Sequence, residues 1–306
     1  MVMEIIHLKK NQTYMLDNSV IAIGYFDGLH LGHMQLIDEV KAINQKTGLK
    51  KGIMTFDKHP KVVFGQNDFQ YLMSLEEKIR MIEQMSFDYF FIIDFDEEVA
   101  QYQPETFISK YIVQNHIQYI VCGFDFHFGN QGKGNGHTLE QLSKNNYQVK
   151  IIKKYEIDHK KVSSSIIRNY IHAGEIEKAN QLLNRPYRIT GKVIHGKKNG
   201  HKIGFPTANV EVGQYVVLKR GVYAVYINVK GKRLKGMANI GINPTFGLLN
   251  KISLEVHIFD FDEDIYGENV DVDFICYIRK ETHFHTIDEL ITQLNKDKKD
   301  IIQILE

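Results

Sequence analysis

Residues 20–33 read VIAIGYFDGLHLGH. Four apolar residues, Val20 to Ile23, end at Gly24. Asp27, further glycines at 28 and 32, and two histidines three apart, His30 and His33, follow. A short apolar run closed by glycine predicts a buried strand, and the next stretch, HMQLIDEVKAINQ, carries apolar residues at helical spacing. In open α/β sheets, ligands bind beyond the C-terminal ends of the strands, and this stretch lies at such an end. Its glycines let a ligand approach the backbone. A helix from about Gly32 presents open N–H groups and the positive end of its dipole, which favour phosphate. His30 and His33 add two donors, suited to an anion whose charge grows during a reaction. Taken alone, the stretch also reads as a turn with capping histidines.

Outward from it, GIMTF, YFFIID, YIVCGF and VKIIKKYEI read as further strands. SLEEKIRMIEQM, ETFISKYIVQN and TLEQLSKNN read as the intervening helices. This alternation predicts a doubly wound parallel sheet of the Rossmann-like kind. The pattern changes near Arg185-Pro186. SSSIIRNYIHAGEIEKANQLLN reads as two short helices joined at Ala173-Gly174. Beyond it YRITGKVIHG, GVYAVYINV, KRLKGMANIG, KISLEVHIFDF and ENVDVDFICYIR read as strands, with Gly231 at a tight hairpin. A last helix follows Thr286, a candidate N-cap with Glu289 three residues on. The expected second half is a small antiparallel β-barrel with a C-terminal helix, and the expected division is 1–184 and 185–306.

Bulk properties narrow the function classes. The chain has 306 residues and a formal net charge of +1, so no global field draws nucleic acid. No apolar run approaches the ~18 residues of a membrane span. The start, MVMEIIHLKK, lacks a signal-like core. Cys122 and Cys276 are the only cysteines, which suits a reducing cytoplasm and buried packing.

Further stretches carry polar chemistry. CGFDFHFG, residues 122–129, stands at another strand end. VSSSIIR, residues 162–168, puts hydroxyls and Arg168 at a helix start, either as caps or as a second anion cradle. In the barrel half, GKVIHG opens with glycines beside lysines, which can cradle phosphate through peptide N–H groups; a glycine-rich turn is the other reading. Thr207 and Asn209 are hard-oxygen side chains two residues apart, suited to Mg²⁺ already bound to ATP. Glu255 shares a strand face with His257 and Phe259, as a solvent-facing acid or as a base at a site mouth.

Together these motifs resemble those of the bacterial bifunctional riboflavin kinase/FAD synthetases. The first half matches G-x-F-D-G-x-H-x-G-H, G-F-D-F-x-F-G and S-S-[ST]-x-I-R. Thr55-Phe-Asp-Lys-His-Pro60 looks like the family's TF-x-x-HP segment, with Lys58 where proline is commoner. The second half matches G-F-P-T-A-N, N-I-G-x-N-P-T-F at residues 239–246, the run LEVHIFDFDEDIYG at 254–267, and R-x-E-x-x-F at 279–284. The resemblance implies an FMN adenylyltransferase module followed by a riboflavin kinase module. It implies that Gly24, Phe26, Asp27, His30, Gly32 and His33 serve ATP and the transition state. Ser164, Ser165 and Arg168 would bind the departing pyrophosphate. Asp125 would orient a ribose or a Mg²⁺-bound phosphate. Phe56, His59, Pro60 and Phe128 are candidates for a flavin wall, with a core role the other reading for either phenylalanine. In the kinase module the resemblance implies nucleotide binding at Gly196, Gly204, Thr207 and Asn209, and Mg²⁺ at the last two. Glu255 would be the base, and Arg279 would lie near flavin.

The glycine-rich loop, HGKKNGHK, departs from the family's H-G-x-G-x-G-R at Lys198 and His201. That motivates an alternative: a single-activity FAD synthetase with a flavin-binding but weakly active or inactive kinase module. A tRNA-charging protein also uses HxGH, but the chain lacks a KMSKS-like loop. The expected partners are ATP, riboflavin and FMN, with no nucleic acid or membrane, in a monomer or weak homo-oligomer.

Overall fold

The computed structural model describes the chain except residues 1, 11, 159, 197–199 and 244–250, and except the side chains of residues 201, 202, 242, 243 and 251. Its first strands are β1 (Glu4–Leu8), β2 (Ser19–Ile23), β3 (Lys50–Phe56), β4 (Tyr89–Ile93) and β5 (Ile117–Gly123). The short pair β6 (His127–Phe128) and β7 (Gly134–Asn135) follows, then β8 (Gln148–Ile152) and the pair β9 (Glu156–Ile157) and β10 (Lys160–Lys161). Six strands form one sheet in the order β1-β4-β3-β2-β5-β8, every neighbouring pair parallel. β2 and β4 are buried along their whole length, as strands covered on both faces must be. β1 is an addition that the sequence reading did not include. Its alternating burial marks it as the sheet's edge.

The helices of this half are α1 (Leu31–Thr47), α2 (Pro60–Val63), α3 (Leu75–Gln84), α4 (Glu97–Ala100), α5 (Pro104–Phe107) and α6 (Gly136–Leu142). The helix expected over ETFISKYIVQN is not regular. After α5 it widens to a π-helical turn at Ile108–Ile112 and tightens to a 3₁₀ turn at Val113–Asn115. Asn115 donates its side-chain amide to the carbonyls of Lys110 and Tyr111, at 3.0 and 3.2 Å. That side chain competes with the backbone ladder, and β-branched Ile108, Ile112 and Val113 crowd the turns.

The second half contains α7 (Ser164–Ala173), α8 (Ile176–Leu183), β11 (Tyr187–Ile194), β12 (Ala208–Val210), β13 (Gly221–Val229), β14 (Lys232–Asn243), β15 (Lys251–Ile258), β16 (Asn269–Arg279) and α9 (Ile287–Ile304). The six strands close an antiparallel barrel, β11-β12-β15-β14-β13-β16. Lys230 and Gly231 both have positive φ, 49° and 76°, in the two-residue hairpin between Val229 and Lys232; glycine takes that conformation without the steric cost a lysine carries. Thr286 caps α9 by accepting the N–H of Glu289, as its spacing predicts.

Packing divides the chain into two compact units: Met1–Phe69 with Ser74–Ser163, and Gln70–Met73 with Ser164–Glu306. This border differs from the expected division after residue 184 by the helix pair α7–α8. Ile167, Ile171, Ile176, Ala179 and Leu183 of that pair are buried in one core with the barrel's Tyr187, Val225, Val272 and Phe274. Tyr71 pairs with Tyr215 in the same unit. A cut after Asn184 would therefore strip those helices of their apolar cover, and the two halves are better tested in the intact chain.

Candidate active sites

In the sheet, β2 lies beside β5, with Ile23 opposite Cys122. From there the chain winds to β3 on one side and β8 on the other. That reversal is a topological switch point, where diverging connections leave a crevice at the C-terminal strand ends. GYFDGLHLGH leaves β2 there, and GFDFHF leaves β5 there.

His30 is the N-cap of α1. Its Nδ1 accepts the N–H of His33 at 3.3 Å. The neutral ring therefore carries its proton on Nε2, as a donor. The two imidazoles stack at 3.7 Å and 14°, and Phe26 meets His33 edge-on at 5.3 Å. A Cβ on Gly32 would lie 3.1 Å from Cε1 of His30, so the bare backbone makes room for the ring. The capping reading is therefore observed at Nδ1, and capping leaves Nε2 uncommitted to the helix end.

The turn is strained. Phe26 (φ 54°) and Leu29 (φ 39°) are left-handed, non-glycine and fully buried, with Gly28 at 85° between them. Such conformations persist only where surrounding contacts over-determine them. The carbonyl of Tyr25 accepts from Oγ1 of Thr55 at 3.0 Å and from Nζ of Lys78 at 2.7 Å. The Lys78 ammonium also lies 4.8 Å from the Tyr25 ring centre. Lys78, on α3, is 4% exposed, and Asp27 in the turn is 3% exposed. Burial pushes the Lys78 ammonium down to about 8, against the pull of the Asp27 carboxylate. The sequence reading passed over Lys78 because a lysine on an amphipathic helix reads as solvent-facing. Its spacing of four from buried Ile82 was the available signal.

The other candidates of this unit lie close to the same strand ends. Asp125 is exposed beyond β5 and pairs with Lys161 at 2.6 Å; the Lys161 ammonium also stands 4.7 Å from the ring centre of Phe124. His59 caps α2 by accepting the N–H of Lys61, Pro60 is the first residue of that helix, and the His59 ring stacks on Phe69 at 4.0 Å. Phe56 and Phe128 are buried, Phe56 edge-on to Phe95 and Phe128 against Phe107 and Phe126. Phe64, past the end of α2, is an exposed aromatic that sequence reasoning did not single out. Cys122 and Cys276 are both buried, and burial raises their thiols to about 12 and about 11, which favours packing over chemistry.

Ser164, Ser165 and Arg168 belong to the second unit. Ser164 is the first residue of α7, Ser165 is exposed, and Nε of Arg168 donates to the Gln70 carbonyl at 3.3 Å.

In the barrel, strand register brings the remaining candidates together. Asn209 stands opposite Glu255, Glu255 opposite Asn239, Asn239 opposite Val222, and Val222 opposite Arg279. This row crosses five strands on one face. Leu254, Val256 and Ile258 point the other way, into the core. Thr207 donates Oγ1 to Oε2 of Glu255 at 3.4 Å. A cavity of about 570 Å³ opens beside it, lined by Val193, Pro206, Thr207, Ala208, Val256 and Tyr266 among others. Thr207 therefore joins a nucleotide-sized hollow to the Glu255 face. His257, also on that face, bonds through Nδ1 to the Pro206 carbonyl at 2.8 Å, and burial lowers its affinity for a proton. A Cβ on Gly196 would fall 2.1 Å from Nδ2 of Asn209, so any larger residue there would force that side chain to move. Gly204, with φ of 80°, turns the chain into the Phe205-Pro206-Thr207 segment. Lys198 and residues 244–246 of the N-I-G-x-N-P-T-F motif lie outside the described residues, as does the His201 side chain.

Arg279 is held from α9. Its Nε reaches both carboxylate oxygens of Asp297, at 3.1 and 2.9 Å, and an outer nitrogen closes the pair at 2.7 Å. Asp297 is 1% exposed and also accepts from Gln293. Neither Asp297 nor Asn239 was singled out as a site residue, since both need the tertiary register to be seen.

Comparisons with known proteins identify the family. The FAD synthetase family model matches residues 13–166, and the riboflavin kinase model matches residues 183–305. The bifunctional riboflavin kinase/FMN adenylyltransferase of Listeria monocytogenes is 40% identical over 286 residues, covering 92% of this chain and 91% of the relative. That of Bacillus subtilis is 41% identical over 290 residues, with 93% and 92% covered. That of Haemophilus influenzae is 36% identical over 299 residues, with 96% and 97% covered. A crystal structure described as a macrolide-efflux protein of Streptococcus pneumoniae shares the whole fold, with a TM-score of 0.89 and 32% identity over 96% of this chain and 97% of that one. Among the described residues, no helix here is long and apolar enough to cross a membrane. Two family models in series, a parallel sheet followed by a closed barrel, and curated relatives matched nearly end to end place this chain in the bifunctional riboflavin kinase/FMN adenylyltransferase family.

Proposed function

We propose that the two activities of this bifunctional flavin-cofactor enzyme sit at the two sites described above. FMN is adenylylated at the β2–β5 switch point and riboflavin is phosphorylated at the Glu255 face of the barrel. The single observation that carries the division is the contrast in chemistry between them. At the first site the nucleophile is the FMN phosphate, already ionised, so no base is needed and neutral histidine donors suffice. At the second it is a ribityl hydroxyl, which must lose a proton, and a carboxylate stands ready. Two matched modules support both activities over the alternative in which the barrel only binds flavin.

In the first reaction an FMN phosphate oxygen attacks the α-phosphorus of ATP, and pyrophosphate leaves. Nε2 of His30 and the ring of His33 donate to phosphate oxygens as charge builds, with the α1 N-terminus behind them. Ser164, Ser165 and Arg168 are the proposed pyrophosphate ligands, and Asp125 the residue that orients the nucleotide. In the second reaction Glu255 takes the 5′-hydroxyl proton of riboflavin while the oxygen attacks the γ-phosphorus of ATP, and ADP leaves. Arg279, clamped by Asp297, faces the flavin side.

No group of three or more His, Cys, Asp or Glu side chains among the described residues could cage a metal. Thr207 and Asn209 supply neutral hard oxygens, a donor set that fits Mg²⁺ arriving on ATP. The ion, when bound, offsets the charge of the triphosphate. The proposed functional borders are 1–184 and 185–306, in a cytoplasmic monomer or weak homo-oligomer.

Incubation with riboflavin, ATP and Mg²⁺, with flavins and nucleotides followed by chromatography, tests this function. FMN is expected with ADP, then FAD with one pyrophosphate each; absence of both flavin products would overturn it. The Asp297 clamp gives a narrower expectation. Asp297→Ala leaves Arg279 without its partner and should lower stability by about 3 kcal/mol, as loss of one member of a buried pair does. It should also raise the riboflavin KM in the kinase assay while FAD formation from FMN stays within about twofold. Thermal melting and the two assays on one preparation check both statements.

A further inference from the structure

A buried lysine is expensive, because its ammonium gives up water and recovers that loss only through well-placed partners. On the inner side of α3, a leucine or methionine would fill the space of Lys78 without that loss. Among the described residues, the compensation given to this ammonium comes from one segment: the Tyr25 carbonyl at 2.7 Å, the Tyr25 ring face at 4.8 Å, and the charge of Asp27. That segment is the left-handed turn at Phe26, Gly28 and Leu29, which ends in His30. Thr55 shares the same carbonyl from β3 at 3.0 Å, so the turn is pinned from a strand and from a helix at one oxygen.

We propose that Lys78 is a positioning residue for adenylyl transfer: its ammonium fixes the Tyr25–Leu29 turn so that the stacked pair His30–His33 meets the triphosphate in one geometry. Lys78 also sets a positive charge beneath a turn that receives a polyanion. The proposal rests on the reading that FMN is adenylylated at this turn. The titratable groups around the ammonium are Asp27 in the turn, His59, whose ring lies edge-on to Tyr25 at 4.7 Å from the start of α2, and Glu77 beside it on α3.

The experiment compares the full-length wild type with Lys78→Met, Lys78→Arg and His33→Ala, assaying FMN→FAD and riboflavin→FMN on each preparation. Lys78→Met should lower kcat for FAD formation about 30-fold, somewhat less than the ~10²-fold that an ångström of misplacement can cost. FMN formation should stay within about twofold, and Lys78→Arg should recover most of the loss. A merely structural lysine would lower melting temperature in step with activity. Here Lys78→Met should melt no lower than wild type at pH 7. With the ammonium at about 8 in the fold against 10.5 for an ordinary lysine, the unfolded chain binds more protons between those values. Wild-type stability should therefore rise with pH across that window, and the rise should be smaller in Lys78→Met.

Should Lys78→Met fail to fold, the wild type and Lys78→Arg decide. The ratio of FAD to FMN formation should fall in the wild type as pH passes about 8, and should stay flat in Lys78→Arg, whose charge persists. FAD formation by Lys78→Met within about threefold of wild type, or identical pH profiles for wild type and Lys78→Arg, would overturn the proposal. If His33→Ala also keeps full FAD formation, the assignment of the site itself fails; if only His33→Ala is impaired, the role of Lys78 alone fails.

Discussion

Glu255→Gln is expected to lower riboflavin phosphorylation by about 10³-fold, within the range for loss of a positioned general base, while FAD formation from added FMN stays near wild type. The substitution is nearly isosteric and removes only the acceptor of the proton. Glu255 is half-buried between Asn209 and Asn239 in the strand row, and Thr207 donates to it, so glutamine keeps a partner and the barrel keeps its register. The loss should therefore fall on kcat rather than on the KM for ATP, since the cavity beside Thr207, the proposed nucleotide site, is untouched. Steady-state assays of each half-reaction check this. Equal loss of both activities would contradict a dedicated base in the barrel.

His33→Ala is expected to do the reverse, lowering FAD formation by about 10²- to 10³-fold, as loss of one preorganised donor to a charged transition state does, with FMN formation unchanged. Two effects combine. The donor is lost, and His30 loses the ring stacked on it at 3.7 Å, so its Nε2 is less well aimed. His33→Asn, which keeps an N–H donor but not the stacking ring, should retain more activity than His33→Ala. The backbone N–H of His33 that caps onto His30 survives both changes, so α1 should still start at Leu31. The fall is checked by the rate of pyrophosphate release with FMN and ATP.

Much of this architecture was legible because its signals are local. VIAIG, GIMTF and YFFIID are apolar runs ended by glycine or acid. Lys230-Gly231 marks a hairpin, and Thr286 with Glu289 marks a cap. The histidine pair and Glu255 stood out as candidates because each interrupts a pattern that burial alone would fill differently, but the residues alone left a capping turn and a solvent-facing acid open, and the family resemblance supplied their expected roles. What escaped depends on contacts between distant segments. β1 pairs with β4 across more than eighty residues, and α7–α8 bury their faces in the barrel core although the chain reaches them from the sheet. Lys78 and Asp297 look like exposed charges on amphipathic helices; only the fold shows that each is sealed against the residue it holds. The π-helical turn at Ile108–Ile112 was invisible because its cause, the Asn115 amide, acts backward along the chain.

The central claim, two separate sites that exchange FMN, is tested most directly by mixing. Glu255→Gln and His33→Ala, each unable to make FAD from riboflavin, are combined with riboflavin, ATP and Mg²⁺. The account predicts that FMN accumulates first, made by His33→Ala, and that FAD follows, made by Glu255→Gln. A mixture of folded proteins that forms FMN but no FAD, or neither, would contradict it.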